Sequence, residues 1–155
     1  MKALVIYDSV YGNTEKIARA IAEAITPSGE VKVLRASEAN SSELASIDFL
    51  IVGSPTHGGR PTPAIQDLLN KVTQPSLNGI KVAAFDTRMT TKLVRLFGYA
   101  AGRIAGNLKV KGGTLIASPV GFFVTGGKGP LKEGELERAA AWAKGMLESK
   151  KQSWI

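Results

Sequence analysis

Cysteine is absent from the chain. That excludes disulfides, thiolate zinc sites, cysteine nucleophiles and cysteine-held iron–sulfur clusters together. Histidine occurs once, as His57, so a histidine-built metal site lacks ligands. A Ser-His-Asp triad would have to use that same residue, and no G-x-S-x-G elbow presents a serine. Neither the phosphate loop G-x-x-x-x-G-K-S/T nor a G-x-G-x-x-G after the first strand is present. Aromatic residues make up only 6%, which leaves little to stack on nucleic-acid bases. No apolar run approaches the roughly 20 residues of a membrane span. Met1-Lys2 runs straight into a strand pattern, which leaves no room for a signal peptide and makes the cytoplasm the expected compartment. Acids are missing from one long stretch. Between Thr87 and Leu131 there is no Asp or Glu, while Arg88, Lys92, Arg95, Arg103, Lys109, Lys111 and Lys128 all fall there.

What is present fits one domain over residues 1–155 with one sizeable core. The 155 residues are 44% hydrophobic and 21% charged, within the range of globular domains. The net charge is +7, which points to acidic partners or to a solvated basic face.

Strand and helix patterns alternate along the chain. Ala3 to Tyr7 is a short β-prone apolar run. Glu15 to Ile25 repeats its apolar residues at Ile17, Ala18, Ile21, Ala22 and Ile25, one buried helix face. Val31 to Leu34 reads as a second strand. Ala36 to Ser46 holds at most a short helix. Ile47 to Gly53 is the most apolar strand and so the central one. Pro63 to Val72 is a helix opened by proline. Lys81 to Phe85 is the fourth strand, with Asp86 to Thr91 as its exit loop. Met89 to Gly106 reads as a helix with Leu93, Phe97, Ala100 and Ile104 on one face. Thr114 to Ser118 is the fifth strand, broken at Pro119, with Gly121 to Val124 available to resume it. Glu133 to Leu147 closes the chain, acidic first and basic last, as the helix dipole prefers.

This alternation predicts an α/β three-layer sandwich: a five-stranded parallel sheet with helices on both faces, joined by right-handed crossovers. In strand order 2-1-3-4-5 the ligand site lies beyond the carboxyl ends of strands one, three and four. The loops there are Ser9–Thr14, Ser54–Arg60 and Thr87–Thr91. The first is a strand-to-helix turn crowded with Ser, Gly, Asn and Thr. Its hydroxyls, amides and free N–H groups suit an anion, and the same residue types also serve as plain helix caps. A receiver domain shares this strand order but needs an Asp where Gly53-Ser54 end strand three.

Ser9-Val10-Tyr11-Gly12-Asn13-Thr14 resembles the FMN-phosphate loop of flavodoxins, commonly T-x-T-G-N-T, with Ser9 and Tyr11 in place of two threonines. Gly53-Ser54-Pro55-Thr56-His57-Gly58-Gly59-Arg60-Pro61 resembles the loop that covers the flavin ring in that family, with His57 where many members have Tyr or Trp. The resemblance implies non-covalent FMN and electron transfer. It assigns phosphate contacts to the side chains of Ser9, Asn13 and Thr14 and to the N–H groups of Val10, Tyr11 and Gly12. It places Pro55, Thr56, His57, Gly58 and Gly59 along the isoalloxazine and Thr87 with Arg88 at its far wall. No catalytic residue and no metal are expected. The expected role is an electron carrier between protein partners, the docking partner being acidic. The alternative is a small FMN-dependent NAD(P)H, quinone or nitro-compound reductase. Arg88 and Arg60 beside the ring would favour an anionic reduced flavin and tilt the choice toward that alternative. Nucleic acid is the weaker reading of the positive charge.

Overall fold

The computed structural model describes residues 1–73, 76–89 and 99–152, with the backbone alone for 149–152. Six parallel strands form one sheet. They are β1 (Lys2–Tyr7), β2 (Glu30–Arg35), β3 (Phe49–Pro55), β4 (Lys81–Arg88), β5 (Thr114–Leu115) and β6 (Val120–Phe123). Their order is β2-β1-β3-β4-β5, with β6 also paired to β4. The fifth position of the sheet is therefore filled by two short strands in succession. Four described helices accompany it: α1 (Asn13–Ile25), α2 (Pro63–Lys71), α3 (Ala100–Val110) and α4 (Glu135–Gln152).

The expected layers and order are found. Alternation along each buried strand sends successive side chains to opposite faces. Val5, Tyr7, Ile51, Phe85 and Phe122 pack with α1 and α4 on one side. Leu4, Ile6, Leu50, Val52 and Val82 pack with α2 and α3 on the other. Phe49 to Ser54 of β3 are all buried, as a central strand requires. On the α1/α4 side Phe85, Phe122 and Trp142 meet edge to face, with ring centroids 6.1–6.4 Å apart, the geometry that aromatic quadrupoles prefer.

Several boundaries differ from the sequence reading, each for a tertiary reason. β4 runs on through Asp86, Thr87 and Arg88, which the sequence reading placed in a loop. Pairing with Ser54 and Pro55 on one side and with Gly121, Phe122 and Phe123 on the other keeps it extended. β5 is shorter than expected because pairing lapses after Leu115 and resumes at Val120. Residues 36–46 hold two short 3-10 turns, Ala36–Glu38 and Ser41–Leu44. α3 begins at Ala100 and continues past Gly106 to Val110. The earlier part of that expected helix, including Leu93 and Phe97, lies outside the described residues.

Candidate functional site

The sheet register brings the loop-forming ends of the strands level. Tyr7 pairs with Gly53, Gly53 with Phe85, and Pro55 with Thr87. Beyond that row lies a cleft of about 150 Å³. Its lining comes from four loops: Val10, Tyr11, Asn13 and Thr14; Pro55, Thr56 and His57; Thr87, Arg88 and Met89; and Val124 with Gly127. The first three are the loops named from sequence. Thr90 and Thr91 of the third lie outside the described residues. The fourth, after β6, is not among the loops named from sequence. The signal was available, since it also follows the carboxyl end of a strand.

The first loop turns at Gly12, whose φ of 92° is a conformation that side chains disfavour. Ser9 Oγ accepts the Gly12 N–H at 3.1 Å and the Glu15 N–H at 3.3 Å. That bonding braces the turn, and Ser9 itself is not among the residues that line the cleft. The N–H groups of Val10, Tyr11, Asn13 and Thr14 find no acceptor among the described residues. They lie at the positive end of α1, where the macrodipole adds to their pull on an anion. Thr14 is 1% exposed, and its hydroxyl lies 2.8 Å from that of Thr87. Asn13 Nδ2 donates to the Lys128 carbonyl at 3.2 Å, so this amide ties the first loop to the fourth as well as facing the cleft. Tyr11 is about half exposed, with the Lys128 ammonium 6.0 Å from its ring centre.

Beneath the same loop sits Arg35, which sequence reasoning did not single out. Its guanidinium donates to the Ser9 carbonyl at 2.9 Å and lies 3.5 Å from both Asp8 and Glu15. Arg19 also bonds Glu15, and these contacts hold its carboxyl below the usual range, the Arg19 hydrogen bond being the largest cause. The acid nearest the anion-facing turn is thereby neutralised from below.

The second loop is a tight turn in which His57 and Arg60 exchange backbone hydrogen bonds at 2.9 and 3.0 Å. The Thr56 N–H donates to the Thr87 carbonyl, and Thr56 Oγ1 accepts the Ala100 N–H at 3.1 Å. Arg103 Nε donates to the Gly59 carbonyl at 2.8 Å. His57 is exposed at the cleft edge, while Gly58 and Gly59 lie outside the lining.

The far wall holds a buried ion pair. Arg88 donates to both carboxylate oxygens of Asp86, at 2.7 and 2.8 Å, and the Ala101 N–H adds a third bond at 2.9 Å. Asp86 is fully buried. The Arg88 guanidinium stacks on Tyr99, 3.4 Å from the ring centre. It occupies space that a side chain at Gly121 would fill. Arg88 thus lines the cleft as expected, with its charge balanced by Asp86. Arg60, the other arginine in that expectation, lines a different groove.

A statistical description of the family named Flavodoxin matches residues 5–142. The chain belongs to the flavodoxin family. A probable flavodoxin 1 of Bacillus subtilis is 34% identical over 86 residues, covering 54% of each protein. A flavodoxin of Clostridium beijerinckii is 35% identical over 88 residues, covering 52% of this chain and 60% of that one. The matches thus span between half and two thirds of these curated relatives. Among solved structures, oxidised flavodoxin 2 of Bacillus cereus superimposes with a TM-score of 0.82 at 26% identity, over 96% of this chain and 99% of that one.

FMN, the ligand expected of this family, can be tested against the donor set. The turn from Val10 to Thr14 offers free N–H groups and a hydroxyl without an unpaired acid, which fits a phosphate. Pro55, Thr56, His57, Thr87 and Met89 present a mixed apolar and polar rim, which fits a flat heteroaromatic ring.

Proposed function

We propose that this chain binds FMN non-covalently in the four-loop cleft and carries electrons between protein partners. The observation that carries this reading is the set of N–H groups of Val10, Tyr11, Asn13 and Thr14, without acceptors among the described residues and joined by the Thr14 hydroxyl, at the start of α1. Bound FMN supplies reversible one- and two-electron chemistry. The protein's part is to hold and orient it. Asn13, Thr14 and the turn amides take the phosphate. Pro55 to His57 flank the ring on one side, and Thr87 with Met89 flank it on the other.

The charge around the cleft favours a carrier. Asp86 cancels Arg88 within the wall, so the wall lends no net positive charge to an anionic reduced flavin. Asp86 itself is engaged by three donors and is not free to move a proton. The docking partner in this reading is an acidic redox protein, supported by the net charge of +7 and the acid-free segment from Thr87 to Leu131. No described helix is long and apolar enough to cross a membrane.

Titrating the flavin-free protein with FMN and with riboflavin, read by quenching of flavin fluorescence, tests the reading. FMN should bind at least about tenfold more tightly, because each charge-assisted hydrogen bond contributes about 1.5–3 kcal/mol. Equal affinity for the two flavins would refute the phosphate assignment.

A further inference from the structure

A second depression lies outside the flavin cleft, between α2 and α3 and next to the His57–Arg60 turn. It holds about 230 Å³. Arg60 and Arg103 stand at its wall, with Gln66, Asn70 and Asn107 offering carboxamides and Leu69 an apolar surface. No Asp or Glu is among its lining residues. Neither arginine is within ion-pair distance of a described carboxylate. The Nε of Arg103 is fixed on the Gly59 carbonyl, which orients the guanidinium, and its terminal amines have no partner among the described residues. The enclosed Oδ1 of Asn107 has no hydrogen-bond partner among the described residues.

These features contrast with the rest of the basic stretch. Arg88 is consumed by Asp86, and Lys111 donates to the Leu69 and Val72 carbonyls at 3.2 and 2.5 Å. Arg60 and Arg103 stand beside the His57–Arg60 turn without a described carboxylate partner, and Arg103 is held in place by its bond to the Gly59 carbonyl. Guanidinium pairs with flanking amides match the planar two-oxygen geometry of a carboxylate.

We propose that this groove receives a carboxylate side chain of the acidic redox partner and so fixes the docking orientation beside the flavin loop. The proposal rests on the electron-carrier reading above for the identity of the partner. The anion site itself does not depend on flavin. The Arg103–Gly59 bond joins the groove to the turn that covers the cleft, so a seated carboxylate is held one turn away from the electron-transfer edge.

The test is a titration of the full-length, ¹⁵N-labelled protein with hexaglutamate at low salt. Side-chain signals of Gln66, Asn70 and Asn107 and the Nε–H signals of Arg60 and Arg103 should move together and saturate. Arg60→Gln should weaken binding by about fivefold or more, whereas Lys144→Gln, which removes one charge from α4, should change it by less than about twofold. Asn70→Asp, an exposed helix substitution that places an acid in the groove, should weaken binding as strongly as Arg60→Gln. Shifts scattered over the basic surface, or unchanged affinity in both groove variants, would overturn the proposal. Inorganic phosphate is the second arm. Phosphate binding tighter than hexaglutamate at these signals would make the groove a small-anion site and overturn the partner assignment. Failure of the protein to take up FMN would refute the carrier reading while leaving this titration informative.

Discussion

At the residue scale, Thr14 does two jobs with one hydroxyl. It meets Thr87 at 2.8 Å across the cleft and stands among the free N–H groups of the α1 turn. Thr14→Val keeps the branched shape and removes the oxygen. FMN affinity should then fall about tenfold or more, and riboflavin affinity should barely change. Fluorescence titration with both flavins reads this, and an equal loss for the two would assign Thr14 to scaffolding alone. Asp86 supports a second expectation. Asp86→Asn leaves Arg88 buried without its counter-charge, and breaking such a pair costs about 3–5 kcal/mol of stability. The freed guanidinium should also raise the flavin reduction potential. Denaturant unfolding and a redox titration measure the two effects, and an unshifted potential would show that Arg88 does not face the flavin. Asn13 and Thr14 were legible in the sequence because their spacing marks a turn that binds anions. The Asp86–Arg88 pair was not, because residues two apart share a face only in a strand, and the sequence pattern places these two in a loop.

At the element scale, the chain after β6 is clamped by the start of α4. Glu135 is 7% exposed, and its Oε2 accepts the Phe123 N–H at 2.7 Å while Arg138 bonds both carboxylate oxygens. These contacts, the Arg138 bond first and the Phe123 N–H after desolvation, hold the Glu135 carboxyl below the ordinary glutamate value. A depressed carboxyl stabilises the fold at pH values above its unfolded pKa and loses that contribution as pH falls through the folded value. Glu135→Gln should therefore cost about 1–3 kcal/mol at neutral pH, with the gap to the parent narrowing below about pH 4. Chemical denaturation across that range decides it, and a pH-independent difference would mean that the charge is irrelevant. The existence and order of the elements were legible from periodicity. Their ends were not, because β4 is prolonged by neighbours on both sides and α4 starts where Glu135 finds Phe123. Neither partner is local in sequence.

At the scale of the whole molecule, 20 cations face 13 acids, and composition alone suggested a uniformly basic side. Folding redistributes that charge. Arg88 and Lys111 are spent inside, Arg35 supports the first loop, and Arg60 and Arg103 remain open beside the flavin turn. The net excess is unchanged by such pairing, and long-range attraction depends on that excess, so the protein should approach acidic partners quickly at low ionic strength. Screening lengths shrink from about 30 Å at 0.01 M salt to about 8 Å at 0.15 M. The rate at which the reduced, FMN-loaded protein transfers electrons to succinylated cytochrome c should therefore fall about tenfold or more over that interval. Transfer to unmodified cytochrome c, which is basic, should rise over the same interval because repulsion is screened. Stopped-flow haem absorbance follows both reactions. If instead both rates ran parallel with salt, net charge would not steer the encounter, and the acidic-partner reading would fall with it.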